Sequence, residues 1–205
     1  MIEVHKEDAV WTVRLNRPEK ANSLTGNMLR TIEAAVADAQ TAGVAALVLT
    51  GSGKVFSAGA DLEEARAGLA TDGIWERLSS RIADLPCLTI AALNGTLAGG
   101  AFGMALACDL RLATPDARFF YPVMQLGFLP QPSDPGRMAA LIGPARTRMI
   151  LMASQKIDAP TALDWGLVDR LVEGEALPET ISELTAAVVA ASPEIRSGIK
   201  AMIPG

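Results

Sequence analysis

Two short apolar runs, Ala45-Ala46-Leu47-Val48-Leu49-Thr50 and Leu88-Thr89-Ile90-Ala91-Ala92-Leu93, each lead into a turn built of small residues that opens a helix. Apolar runs of this length without polar alternation suit strands buried on both faces, as in a sheet covered by helices. The turns that follow are Val55-Phe56-Ser57-Ala58-Gly59-Ala60-Asp61-Leu62 and Asn94-Gly95-Thr96-Leu97-Ala98-Gly99-Gly100-Ala101-Phe102-Gly103. Neighbouring strand ends would bring the two turns side by side. Glycine and alanine let the backbone come close to a ligand, and the helix behind adds its positive end. The expected product is a pair of backbone N–H groups aimed at one oxygen.

The rest of the chain alternates strand and helix, which predicts an α/β architecture with helices on a sheet. Ala9 to Leu15 alternates as a half-buried strand, and Asn16-Arg17-Pro18-Glu19-Lys20 breaks it. Asn27 to Ala42 carries Met28, Leu29, Ile32, Ala35, Val36 and Ala39 at helical spacing, ending at Gly43. A helix over Gly73 to Leu85 stops at Pro86, Gly100 to Cys108 reads as a buried helix, and Asp109 to Ala113 as a returning strand. From Pro144 the chain reads mainly helical, including Thr161 to Trp165 and Glu179 to Ala191. The stretch from Tyr121 to Gly136, with Pro122, Pro130, Pro132 and Pro135, reads as irregular.

A chain of 205 residues, 50% hydrophobic, can bury a full core as one domain. The net charge of −5 and the absence of a Lys/Arg run argue against nucleic-acid binding. The start of the chain shows no secretory leader, and no apolar run approaches the ~18 residues of a membrane span. Cys87 and Cys108 lack the paired spacing of a zinc site and read as reduced, buried thiols of a cytoplasmic protein. No Gly-Lys-Ser/Thr loop or dinucleotide fingerprint is present, so neither metal nor nicotinamide is expected.

The two turns, in this order and with these strands before them, resemble those of the crotonase superfamily, also called the enoyl-CoA hydratase/isomerase family. The resemblance runs from about Val4 to Ala191. It implies a β-β-α spiral core over residues 1–143 and a C-terminal helical region over 144–205, within one continuous domain. It further implies that the amides of Ala60 and Gly100 form an oxyanion hole for an acyl-CoA thioester, with coenzyme A entering as part of the substrate and no separate cofactor. Leu15-Asn-Arg-Pro-Glu-Lys-Ala-Asn-Ser-Leu24 is similar to the family turn that meets the nucleotide of coenzyme A. Lys20, Ala21, Ser57, Ala58, Asp61, Leu62 and Leu97 are the substrate-binding residues so implied, Lys20 as a phosphate partner. Thr161-Ala-Leu-Asp-Trp-Gly-Leu-Val-Asp169 is similar to the family's helix and Gly-Leu-Val return. A homotrimer or dimer of trimers is the expected assembly, although family members usually continue into further helices after the segment that ends here at Gly205.

Hydratases of this family hold water between two glutamates, and those positions are Gly103 and Val123 here. An aspartate used by other branches falls on Gln131, and the histidine of a decarboxylating branch falls on Ala60. Asp134, in Gln131-Pro-Ser-Asp-Pro-Gly136, lies in the right loop for catalysis, yet an aspartate between prolines also fits a turn. Glu63 and Glu64 fit the start of a helix without chemistry, Tyr121 fits a packed aromatic rim, and Asp61 fits a cap on the Ala60 turn. His5, on the first strand, reads as a surface residue. Met104, Met124, Phe120 and Phe128 fit either an acyl pocket or the core. Gly99-Gly100 alone would also fit close helix packing; the matching Ser57 to Asp61 turn tips it to an oxyanion site. The sequence therefore points to an acyl-CoA enzyme of the hydratase/isomerase type, with a thioester hydrolase, a decarboxylase or a non-catalytic acyl-CoA-binding protein as alternatives.

Overall fold

The computed structural model describes residues 1–203. Strands β1 (Ile2–Glu7) and β2 (Val10–Leu15) form an antiparallel hairpin, and helix α1 (Gly26–Ala42) follows. Strands β3 (Ala46–Gly51), β5 (Leu88–Leu93), β7 (Leu110–Ala113) and β10 (Arg170–Leu171) then add in parallel, giving one six-stranded sheet in the order β1-β2-β3-β5-β7-β10. A second sheet takes the strand that follows each of β3, β5 and β7: β4 (Val55–Ser57), β6 (Thr96–Ala98) and β8 (Arg118–Phe120), with β9 (Ile157–Asp158) antiparallel at its edge. From β3 to α6 each turn of the chain thus lays one strand in each sheet and then forms helix, which is the expected β-β-α spiral.

Helices α2 (Leu62–Arg66) and α3 (Ile74–Ala83) follow β4, α4 (Phe102–Leu106) follows β6, and α5 (Val123–Leu126) and α6 (Asp134–Leu151) follow β8. Helices α7 (Ala159–Trp165), α8 (Leu177–Ala190) and α9 (Pro193–Met202) complete the described chain. The period of two along the central strands sorts their side chains between two cores. Leu47, Leu49, Ala91 and Leu93 face the main core with Phe56, Phe102 and Phe119, while Val48, Ile90, Ala92 and Leu112 face a smaller cluster with Leu177 of α8. Central strands covered on both faces explain why β3 is buried along its whole length.

Three readings of the chain change. The short strands β4 and β6 lie inside what reads as turn, and β8 in a stretch given no element, because three residues each show no alternation. The region from Pro144 is not wholly helical, since β9 and β10 extend both sheets. Helix α6 begins inside the proline-rich stretch and breaks at Gly143, whose φ is +79°, just before Pro144. Pro135 sits in its first turn, where a missing N–H costs nothing.

The corners between the sheets are tight. Asn94 joins two of them, its Oδ1 accepting from Gly51 N at 2.8 Å and its Nδ2 donating to Gly53 O at 2.9 Å. A Cβ on Gly95 would stand 2.0 Å from Lys54 O. Gly95→Ala must therefore push one corner off the other, and we expect it to lower unfolding stability by about 3 kcal/mol or more, read from the urea midpoint.

Candidate active site

The first turn is shaped by the chain between Arg17 and Leu24. Asn22 has a φ of +52°; its Nδ2 donates to Ser52 O at 2.9 Å and Val55 O at 2.7 Å. Ser57 Oγ donates to Asn22 O at 2.8 Å and accepts from Gly59 N at 3.1 Å. Leu24 pairs with Ala60 as an isolated parallel bridge, with Leu24 N donating to Gly59 O at 2.8 Å and Asp61 N donating to Leu24 O at 2.9 Å. Such a bridge uses the peptides on either side of Ala60, so the Ala60 N–H points away from Leu24. Asp61 caps α2 through Glu63 N and Glu64 N, and Arg17 Nη1 donates to it at 2.8 Å. The Arg17 hydrogen bond holds the Asp61 carboxyl below its usual range, which makes it a fixed anion of the turn.

The second turn lies directly against the first. Gly59 has φ +91° and Gly99 φ +57°, conformations in which glycine is strongly favoured. A Cβ on Gly59 would lie 3.0 Å from Ala98 O and 3.2 Å from Gly99 Cα, and one on Gly99 would lie 3.4 Å from Gly59 Cα. The backbones therefore meet with no side chain between them. Gly99 to Ala101 form a 3-10 turn that runs into α4. At the start of a helical run the Gly100 N–H has no intrahelical acceptor. Ala60 and Gly100 both remain partly open to solvent.

Helix α3 backs this turn along a matching face. A Cβ on Gly100 would stand 3.3 Å from the Trp75 ring, and one on Gly103 would stand 3.6 Å from Ser79 Cβ. Trp75 and Ser79 are one helical turn apart, as are Gly100 and Gly103 along theirs. Trp75 is fixed by its Nε1 donating to Leu69 O at 2.8 Å.

At the level of Gly103 stands Asp134. Its side chain is fully buried, and its Oδ1 lies 3.1 Å from the Cβ that Gly103 lacks. Its Oδ2 accepts from the Tyr121 hydroxyl at 2.9 Å, while Oδ1 has no partner among the described residues. Tyr121 is itself buried and stacks on Phe102, ring centroids 5.3 Å apart. Burial pushes the Asp134 carboxyl up to about 7; the Tyr121 hydrogen bond and the Arg137 charge pull it down, and Glu76 pushes it up. Burial, with Asp134 beside it, raises the Tyr121 phenol far above its ordinary value, so it stays a hydrogen-bond donor.

The turn reading of Asp134 is thus replaced by a buried carboxyl on the first residue of a long helix. Tyr121 is a hydrogen-bond donor to that carboxyl, where a packed rim was expected. Val123, nearly buried, carries no proton. The remaining expected residues divide. Lys20, Ala58 and Leu62 are exposed near the mouth of the first turn, and Ala21 O accepts from Ala58 N at 3.0 Å. Ser57 and Leu97 are buried, and Ser57 Oγ bonds the backbone of Asn22 and Gly59. Glu64 Oε2 accepts from Gly26 N at 2.7 Å, tying α2 to α1, while Glu63 is exposed. His5 is exposed beside Glu3, as expected. Met104 belongs to the core, whereas Met124 and Phe128 line an apolar cavity of about 390 Å3 with Val123, Pro135, Ala139 and Met152. Pro135 and Ala139 face that cavity, and Asp134 and Met138 face the core on the other side of α6. Glu76, which the sequence did not single out, joins this site by accepting from Ser133 N at 3.1 Å.

Comparison with known proteins places this geometry in a family. Residues 5–203 match the family described as enoyl-CoA hydratase/isomerase. The chain is 32% identical over 209 residues to 4-chlorobenzoyl coenzyme A dehalogenase-1 of Arthrobacter sp, covering 97% of this chain and 76% of that protein. It is also 32% identical over 197 residues to the short-chain-enoyl-CoA hydratase of Clostridium acetobutylicum, covering 93% of this chain and 76% of the relative. The crystal structure of an enoyl-CoA hydratase from Bacillus anthracis superposes with a TM-score of 0.89 at 30% identity, over 97% of this chain and 80% of that one. A fold shared to this degree, with a match along nearly the whole chain, makes this protein a member of the enoyl-CoA hydratase/isomerase family.

Proposed function

We propose that this protein is an acyl-CoA enzyme that polarises a thioester carbonyl with the Ala60 and Gly100 amides and moves a proton with Asp134. The carrying observation is the alignment on one glycine face. The Gly100 amide opens the helix, and the Asp134 carboxyl stands one turn further on, against Gly103. A single carboxylate below an oxyanion site suits enolate chemistry. It would take the proton from the carbon next to the carbonyl as the C–H electron pair forms the enolate double bond and the carbonyl π pair moves onto the thioester oxygen. Returning the proton to a different carbon shifts the double bond. Water addition asks for a second proton-carrying group to hold the water, and Val123 offers none, so isomerisation is favoured over hydration. Lys20, Ala21, Ala58 and Leu62 would meet coenzyme A at the mouth.

A second reading is favoured by one observation: Asp134 presents no surface to solvent. Binding of acyl-CoA without turnover would follow if the carboxyl stays closed off. Incubation with a panel of enoyl-, hydroxyacyl-, malonyl- and simple acyl-CoA thioesters, read by mass spectrometry and chromatography, separates these readings. A rearranged enoyl-CoA supports the isomerase, release of free CoA or carbon dioxide moves the assignment to hydrolysis or decarboxylation, and binding without product favours the second reading. We further propose a cytoplasmic homotrimer, supported by two buried free cysteines and by exposed apolar residues such as Met124, Leu126 and Leu129 around α5. Burial lifts the Cys108 thiol to about 12, which leaves it inert.

Polarisation has a direct readout. The infrared carbonyl band of a 13C-labelled crotonyl thioester should move to lower frequency on binding to the wild-type protein, and an unmoved band would rule out the two-amide site. Gly100→Pro, which removes one donor, should lower turnover by about 100- to 1,000-fold in protein whose circular dichroism shows it folded.

Asp134 makes a second, opposite pair of expectations. Its carboxyl moves from 3.8 to about 7 on burial, so the fold prefers the protonated form. That preference is fully present below the unfolded value and is lost as pH rises through about 7. Asp134→Asn should accordingly be no more stable than wild type at pH 4 and gain up to about 4 kcal/mol on it by pH 8, followed by urea unfolding. The same variant should lose about 100-fold or more in turnover. Wild-type turnover, which needs the ionised base, should rise with pH through about 7.

A further inference from the structure

We infer that Glu76 is the positioning residue of this site: from α3 it clamps the first turn of α6, aims the Asp134 carboxyl at Gly103, and places a like charge near it. The inference rests on the proton-carrier reading of Asp134 and extends it to a residue outside the oxyanion turns.

The clamp is made of hydrogen bonds between two helices. Glu76 Oε2 accepts from Ser133 N at 3.1 Å, and Oε1 accepts from the Ser133 hydroxyl and from Ser80 Oγ at 3.2 Å. Ser133, the residue before α6, makes no side-chain cap of its own helix. The carboxylate that satisfies this end therefore comes from α3. Negative charge at a helix start is favourable, and an N–H that loses its acceptor when buried is costly. Asp134 is the next residue, so the clamp fixes the backbone from which its side chain departs. On the same helix Trp75 packs against Gly100, so neighbouring residues of α3 hold the oxyanion turn and the carboxyl at a fixed separation.

The titratable and charged groups that face Asp134 come from three elements. Glu76 lies on α3, Arg137 on α6 itself, and Tyr121 on the segment after β8. Arg137 is held by its Nη1 donating to Ser79 Oγ at 3.0 Å, again on α3. Ser79 Oγ in turn donates to Glu76 O at 3.2 Å. Hydrogen bonds from Ser133 and Ser80, with Arg137 nearby, outweigh the burial that would raise Glu76, leaving it below its ordinary range. Glu76 is thus ionised wherever Asp134 titrates. Its charge opposes ionisation of Asp134, and Arg137 favours it.

Two substitutions separate the clamp from the charge. Glu76→Gln keeps a carbonyl acceptor for Ser133 and removes the charge; Glu76→Ala removes both. The Asp134 carboxyl can be followed without turnover, by carbon NMR of 13C-labelled aspartate with Asp134→Asn to assign the resonance. In Glu76→Gln the Asp134 midpoint should fall by a few tenths of a pH unit to about one, as expected for the loss of a nearby like charge. The rising limb of the turnover profile should move down with it. In Glu76→Ala, kcat should fall about tenfold beyond the Gln variant with KM little changed, since the misplaced group is the proton carrier and not the thioester grip. A midpoint that stays at the wild-type value in both folded variants overturns the inference alone. An Asp134→Asn protein as active as wild type overturns the proton-carrier reading beneath it, whatever the NMR midpoints show.

Discussion

The contact between Gly59 and Gly99 is the constraint on which the rest of the site depends. Two strand-to-helix turns from different windings of the spiral meet there backbone to backbone, and either Cβ would come within 3.4 Å of the other turn's Cα. Both residues sit at positive φ, so a side chain would be strained as well as crowded. The meeting requires that β4 and β6 pair in parallel and that the corners before them be equally tight. Asn94 and Gly95 supply that tightness, one by bonding two corners and the other by leaving room for Lys54 O. Small residues are thus spent in pairs along one line through the molecule, and the line ends at Ala60 and Gly100.

Behind that line, α3 reads the same spacing from the other side. A bulky ring covers Gly100 and a small serine covers Gly103, where room is left for the Asp134 carboxyl to enter from α6. Glycine at 103 is therefore a vacancy filled from another element. A side chain there would meet Asp134 Oδ1 within about a bond's length of contact, so Gly103 and Asp134 are complementary choices. A helix without a carboxyl of its own after Gly100 thus still has one beside it.

Much of this was legible in the chain. The continuous apolar runs of β3 and β5 announced strands buried on both faces, and the Gly and Ala turns after them announced close backbone approach. Asp61 as a cap was legible too, because an aspartate before Leu-Glu-Glu at a helix start has few other uses. The second sheet was not, since its strands are three residues long and are defined by partners far away in sequence. The resemblance to a known family supplied what periodicity lacked. Asp134 was a named candidate, but its burial, like the role of Glu76, was hidden for a related reason. Prolines on both sides of Asp134 mark a turn locally, and only packing against α4 shows that the residue begins a helix and turns inward. Nothing in the order Ile74-Trp75-Glu76-Arg77 says that the glutamate bonds a backbone 57 residues later.

Asp134 is difficult to explain as a structural residue. A fully buried carboxyl with one hydrogen bond and an unpartnered oxygen is costly, because an ionised group must give up water without receiving equivalent partners. An asparagine could accept from Tyr121 equally well without that cost. Nor is the carboxyl neutralised by an ion pair among the described residues: the nearby Arg137 is bonded to Ser79, and the nearby Glu76 carries the same sign. What the arrangement does provide is a group whose proton is held near neutral pH, placed against Gly103 one helical turn from Gly100, and surrounded by side chains that keep it from relaxing outward. Those are the requirements of a proton carrier next to a developing oxyanion. The instability at Asp134 and the proposed chemistry thus have one physical origin, the withholding of water from a carboxyl that must change its charge.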